Sequence, residues 1–251
     1  MSRAGLPEPE AVLAETDWAA LEHAYGPATD TPAHLAGLLD ADQGVRSRAL
    51  DHLHYKVNHQ QTLYTATVPA ALYVAGILPD PRTDRPVDKK RRDLPGPLRA
   101  GLLGWLGSMA DQVGDEAAEG SRRLGFPPEE YPPFVQAGEI RPLLFVAVAA
   151  WTTDRDPDVR DAAIAACAPL LDDPSLRHHR TALVPLLREK LAVSALWQYQ
   201  ERAIETLASW GEDTSGMKVQ RNAFEVCDAP NSTSSETDWA WSRSDVEAPP
   251  F

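Results

Sequence analysis

The densest group of side chains able to ligate a metal or act as a general base is His52, His54 and His59. On a helix, positions 52 and 54 point to different sides. Positions 52 and 59 share a face but lie two turns apart, too far for a compact ligand pair. His178 and His179 are adjacent, so a helix splays them, and no further ligand follows at a metal-like spacing. Both sets are therefore expected to serve as caps or surface residues. The two cysteines form no C-x-x-C pair: Cys167 sits among Ala165, Ala166 and Ala168 as tight helix packing, and Cys227 lies in a polar tail. Gly101, Gly104 and Gly107 recur at spacing three around Leu102, Leu103 and Trp105, which predicts close helix approach rather than a phosphate-cradling loop. A Gly-x-Ser-x-Gly elbow is absent, and Glu129-Glu130 in a proline-rich stretch has a sufficient role as solvated surface. The expectation is a non-enzyme, with no catalytic residue, cofactor or metal.

The elements that must carry these residues read as helix after helix, because apolar residues recur at spacings of three and four and strand-like alternation is missing. Helices are predicted at 16–24, 31–40, 43–57, 65–78, 94–113, 115–124, 137–152, 156–171, 177–193 and 196–210. Asp30-Thr31-Pro32, Asp156-Pro157 and Asp173-Pro174 each place a capping residue beside a proline suited to a first turn. Two stretches break the rhythm and read as surface loops: 79–97, with the basic run Lys89-Lys90-Arg91-Arg92, and 125–133, with four prolines. The fold class is thus all-α. A helical array is expected over 1–210 and an acidic polar tail over 211–251, whose Trp239 and Trp241 suit a docking motif, a strip folding back on the array, or an unstructured end.

The array is suggested by repetition. The segment Leu38-Leu39-Asp40-Ala41-Asp42-Gln43-Gly44-Val45-Arg46 matches Thr153-Asp154-Arg155-Asp156-Pro157-Asp158-Val159-Arg160, with small apolar residues following each, and a weaker copy surrounds Arg202. From Arg46 to Arg160 there is room for three units of roughly forty residues, and from Arg160 to Arg202 for one more. This pattern resembles the second-helix consensus of bacterial HEAT-like (armadillo-type) repeats, strongly at 31–57 and 153–210 and poorly at 80–135. The resemblance implies an α-solenoid of helical hairpins in which the turn Asp caps the helix and the Arg pairs with acidic groups of neighbouring repeats. The run His59-Gln60-Gln61-Thr62-Leu63-Tyr64-Thr65-Ala66-Thr67 is similar to a His-Gln-Gly-Thr-x-Tyr-x-Ala-Thr run of such proteins, with Gln61 in the usual glycine place; its expected role is to fix a turn between repeats.

A solenoid presents a continuous concave surface to a peptide or domain. The candidate protein-binding residues are Arg48, Asp51, His52, Tyr55, Asp161 and Glu205 on the exposed faces of second helices, together with Trp239 and Trp241 of the tail. A formal net charge of −13 disfavours phosphate binding in general and favours a partner with a basic surface. The resemblance adds a toxin-neutralising immunity protein as the specific expectation. Two competing classes remain: a nucleic-acid-binding or DNA-repair protein using Lys89, Lys90, Arg91, Arg92, Arg122 and Arg123, and a scaffold subunit of an assembly docked through the tail. The opening residues lack the apolar stretch of a signal peptide and the longest apolar run, 143–151, is too short for a bilayer, so a cytoplasmic setting is expected.

Overall fold

The computed structural model describes residues 5–88 and 96–219. It is mainly helical, with two short antiparallel pairs of two-residue strands among the described residues. The first helix, α1 (Pro9–Glu15), starts earlier than predicted, and 16–24 is not helical. There the apolar spacing serves a turn: Trp18 is buried and its indole donates to the Leu13 carbonyl (3.3 Å) at the end of α1. The chain then enters β1 (Glu22–His23), which pairs with β2 (Gly26–Pro27); Gly26, at φ +110, makes a bend that a side chain would strain.

Four helix pairs follow the predicted order. α2 (Thr31–Gly37) packs on α3 (Gln43–His52), and α4 (Thr67–Ile77) on α5 (Leu98–Asp111). After α6 (Asp115–Arg123) and α7 (Pro132–Glu139), α8 (Arg141–Ala149) packs on α9 (Pro157–Leu170), and α10 (Arg180–Glu189) on α11 (Trp197–Ser209). The predicted single helix at 137–152 is two helices, because Pro142 in the first turn of α8 supplies no N–H and restarts the helix after Ile140. The stretch 79–97 holds a short 3-10 turn and the pair β3 (Pro86–Val87) with β4 (Gly96–Pro97). Of the predicted caps, Asp156 accepts the Asp158 and Val159 N–H groups, whereas Asp30 makes no cap bond and Asp173 closes a local turn onto Ser175, seven residues before α10 begins at Arg180.

The second members form a row: α3 touches α5, α5 lies along α9, and α9 touches α11, while α2 touches α4 and α4 touches α8. Gly107 brings backbone against backbone, since a Cβ there would lie 2.9 Å from the Ala166 Cα, whereas a Cβ on Gly101 would lie 2.8 Å from Cδ2 of the Leu50 side chain. Gly104 departs from the expectation for its neighbours, because a Cβ there would meet nothing within 4 Å. Trp105 is fully buried beside them and its indole donates to the Leu53 carbonyl (3.0 Å).

The repeat arginines do three different things. Arg46 is buried and donates to the carbonyls of Asp40, Ala41 and Pro86, not to an acid. Arg160 pairs with the adjacent Asp161 (2.9 Å), and Arg202 of α11 pairs with Asp111 at the end of α5. The chain divides into two units, Met1–Val219 and Gln220–Phe251. The start of the expected tail belongs to the first: Arg188 donates to the Asp213 carbonyl (2.8 Å) and pairs with Glu212 (2.9 Å), and Met217 packs on the core. Trp239, Trp241 and the run 89–92 lie outside the described residues.

Widening Gly107 must push α5 from α9, so Gly107→Leu is expected to cost about 1–3 kcal/mol by overpacking. Urea unfolding followed by circular dichroism measures this, and an unchanged midpoint would remove the close contact as an organising feature.

Candidate protein-binding groove

Over the row of second helices runs a groove of about 790 Å³. Its wall on one side is Leu50, Asp51, His54, Tyr55 and Asn58 of α3 and its continuation, followed by His59, Gln60 and Gln61. Its floor is Ala100, Gly101, Gly104 and Ser108 of α5, and Val87, Asp88, Pro97, Asp158 and Tyr199 complete the rim. Three carboxylates thus line it, and no lysine or arginine does so among the described residues.

The wall owes its shape to a change of helix type. From Leu53 to Val57 the chain is a π-helix, and the Asn58 N–H reaches back five residues to the Leu53 carbonyl (2.9 Å), the same oxygen that takes the Trp105 indole. Gln60 (φ 49°) and Gln61 (φ 56°) are then both left-handed, a region non-glycine residues rarely occupy, and Gln61 is the position where the resembled run has glycine. The threonines downstream hold this bend: Thr67 Oγ1 donates to the Val57 carbonyl (2.7 Å) and accepts from the Tyr64 N–H (2.9 Å), and Thr65 Oγ1 accepts from the Glu22 N–H (2.7 Å). The run therefore fixes a turn, and that turn is the end of the groove wall.

Behind the wall, on the other side of α3, lies a polar cluster that spacing along the chain did not reveal. His23 from β1, Asp30 before α2 and His52 at the end of α3 bring ligand atoms within 4.8 Å of one another. The Tyr25 N–H donates to His23 Nδ1 (3.2 Å), so the neutral ring carries its proton on Nε2 and donates to Asp30 Oδ1 (3.0 Å). Lys56 Nζ holds Asp30 Oδ2 at 2.7 Å. Burial alone would raise the Asp30 carboxyl, but its bonds from Lys56 and His23 bring it down to about 2. A divalent ion would need the His23 Nε2 lone pair, which would move the ring proton to Nδ1 against the Tyr25 N–H, and it would have to displace the Lys56 ammonium. The donor set suits a hydrogen-bonded clamp better than a cation. His52 is buried, meets Thr31 Oγ1 through Nε2 (3.0 Å), stacks on His34 with ring centroids 4.2 Å apart, and leaves Nδ1 without a partner. Burial pulls its pKa down to about 3.

Of the candidate binding residues, the structure brings Asp51 and Tyr55 together in the groove. Arg48 is exposed but lines a smaller cavity of about 260 Å³ with His34 and Asp30, and Glu205 is exposed on α11 outside the groove lining. His52 and Asp161 are corrections: both are buried, and Asp161 is engaged by Arg160 and by Ser194 Oγ (2.7 Å). His178 and His179 also differ from expectation, because they occupy a 3-10 turn in which their rings stay 4.0 Å apart. The Cys167 thiol is buried and pushed up to about 12, in keeping with a packing role. Arg122 and Arg123 of α6 each face a carboxylate, Glu129 at 3.5 Å and Glu119 at 3.9 Å. Asp88, Asp158 and Tyr199 were missed. Asp51, Tyr55 and Asn58 at spacings of four and three did carry a signal for the wall, but the opposing rim comes from distant chain segments. No described helix is long and apolar enough to cross a membrane. Comparison of the chain with protein-family models, curated proteins and solved structures yields no match.

His52 binds a proton more weakly folded than unfolded, so its contribution to stability is complete above the ordinary histidine value of 6.5 and is lost as pH falls from there towards about 3. One such group gives a slope of at most about 1.4 kcal/mol per pH unit. In denaturant titrations at a series of pH values, His52→Gln is expected to flatten the decline of stability over that window. An unaltered decline would place its cause elsewhere.

Proposed function

We propose that this chain is a HEAT-like helical array that works by binding, without catalysis, a basic segment of another protein in the groove over its second helices. The observation that carries this reading is the groove lining: Asp51, Asp88 and Asp158 around a floor of small residues, with Tyr55 and Tyr199 as aromatic faces for cationic side chains. The row α3, α5, α9, α11 and the parallel contacts of α2, α4 and α8 support the HEAT-like order, with α6 and α7 as the insertion where the resemblance is poor. The net charge of −13 adds a long-range attraction for a basic partner. The more specific reading is an immunity protein in the cytoplasm that covers the basic, substrate-binding face of a toxin; acidity supports it, as does the family resemblance.

The test is capture from the native host's lysate with the full chain and with an Asp51→Asn, Asp88→Asn, Asp158→Asn variant. A basic protein held in stoichiometric amount by the full chain, released by salt and reduced at least about tenfold by the variant is the expected result. If that protein halts growth when expressed alone and does not when this chain is co-expressed, the immunity reading gains direct support. Nucleic acid recovered without a protein, or equal retention by the variant, would overturn the groove as the binding surface.

A further inference from the structure

The inner side of His52 is covered by one short stretch of chain. Thr31 Oγ1 meets its Nε2 at 3.0 Å, the His34 ring stacks on it with centroids 4.2 Å apart, and the His23 ring meets it edge-on at 5.6 Å. All three belong to β1 or to the first turn of α2. That stretch has little apolar hold of its own. Between His23 and His34, Ala28 is the one buried hydrophobic residue, whereas Leu35 and Leu38 just beyond are fully buried. Its ties to the rest of the fold are polar: the Ala24 N–H donates to the Lys56 carbonyl (3.0 Å), the Ala66 N–H donates to the Glu22 carbonyl (3.1 Å), and Lys56 Nζ donates to Asp30. A segment with few apolar contacts opens at lower free energy than a core helix.

We propose that this cluster is an acid-released latch: a proton taken up by His52 lifts the hairpin β1–β2 and the first turn of α2 off α3, in an opening separate from unfolding of the whole chain. The closed arrangement has no place for that proton. His52 Nδ1 is buried without a partner, so an imidazolium would carry an N–H there with no acceptor. The titratable and charged groups acting on the ring are His34, Asp30, Lys56 and His23, and Arg48 acts on His34. Asp30 is the one carboxylate among them, and both of its oxygens are taken, by His23 and by Lys56. Its carboxyl, held down at about 2, keeps its charge as the histidines titrate, so loss of that charge is not the trigger. Burial lowers His34 as well, and a charged pair would face each other across 4.2 Å beside the cations of Arg48 and Lys56. Once the segment lifts, both rings meet water and take protons near the ordinary 6.5. Closure is therefore complete above 6.5 and weakens as pH falls from there towards about 3. Opening also takes the backing from the π-helical stretch that shapes the groove wall, whether or not the groove holds a partner.

Hydrogen–deuterium exchange of the full chain, read by mass spectrometry between about pH 5 and pH 7.5 and corrected for the intrinsic exchange rate, tests the latch. Peptides carrying the Ala24 and Ala28 amides are expected to be at least about tenfold less protected than those of α9 at neutral pH, the mark of a local opening. Below 6.5 their protection should fall by up to about tenfold per pH unit for each proton taken up. His52→Gln should make that fall shallower. The slope rather than the level is the readout, so a variant that is merely destabilised does not mimic the result. If His52→Gln does not fold, His34→Gln, at a half-buried position, carries the same expectation. Equal protection of the hairpin and α9 at every pH would leave only unfolding of the whole chain and overturn the latch. Hairpin protection that does not change with pH, or a slope that the substitution leaves as it was, would overturn it too.

Discussion

The structure depends on one close approach. At Gly107 the backbone of α5 comes so near α9 that a single added carbon would sit 2.9 Å from Ala166 Cα. Dispersion rises steeply as surfaces close to contact, and two helices meeting over glycine and alanine gain it along their whole shared length. The rest of α9's inner face follows the same economy, with Ala162, Ala163 and Ala166 buried. With α5 held there, Ala100 and Gly104, which share the Gly107 face two turns and one turn earlier, come to the floor of the groove beside that contact, and α3 and α11 take their places at either end of the row. Of the elements between α5 and α8, α6 buries none of its residues, whereas α7 packs on α4 and α5.

Close helix packing leaves carbonyls at helix ends and in bends with no room for water, and long side chains take them up. Arg99 is buried, donates to the carbonyls of Leu78 and Asp80, and sits 4.0 Å from the centre of the Trp151 ring. Arg46 does the same for Asp40, Ala41 and Pro86. A guanidinium suits this work because its five donors are fixed in one plane and it never loses its charge. Such residues look like ion-pair candidates along the chain, and Arg99 does pair with Asp84, yet carbonyls five to 40 residues away take up other donors of both side chains.

What was legible in the sequence follows the range of the forces involved. Helices such as α3 and α9 announce themselves by local periodicity and by caps like Asp42 and Asp156, whose acceptor bonds span three residues or fewer. Trp18 and Leu21 misled for the same reason: helical spacing also suits a turn that buries an indole. For the site, Asp51 and Tyr55 were readable because they share a helix face, whereas Asp88, Asp158 and Tyr199 reach the groove from separate elements. His52 was placed on the wrong side because its direction is set by contacts with Thr31 and His34, and nothing in its own turn encodes them. Gly104 was grouped with Gly101 and Gly107 by spacing, and only three-dimensional surroundings separate them.

The histidines show how one helix divides polar chemistry into two uses. On the inner side of α3, His52, His34, His23 and Asp30 hold one another, with the His23 ring nitrogens committed to the Tyr25 amide and Asp30. A ring whose lone pair already accepts an amide proton is a poor base for a reacting group. On the outer side, Asp51, His54, Tyr55 and Asn58 face the groove, and the wider π-turn lets both His54 and the adjacent Tyr55 reach it. The inner cluster holds the wall from behind, while Asn58, which lines it, is also tied to the Gln112 amide (2.7 Å). Under the proposed binding role, the inner cluster and the Thr67 bend supply rigidity that would spare a partner the cost of ordering the wall on contact.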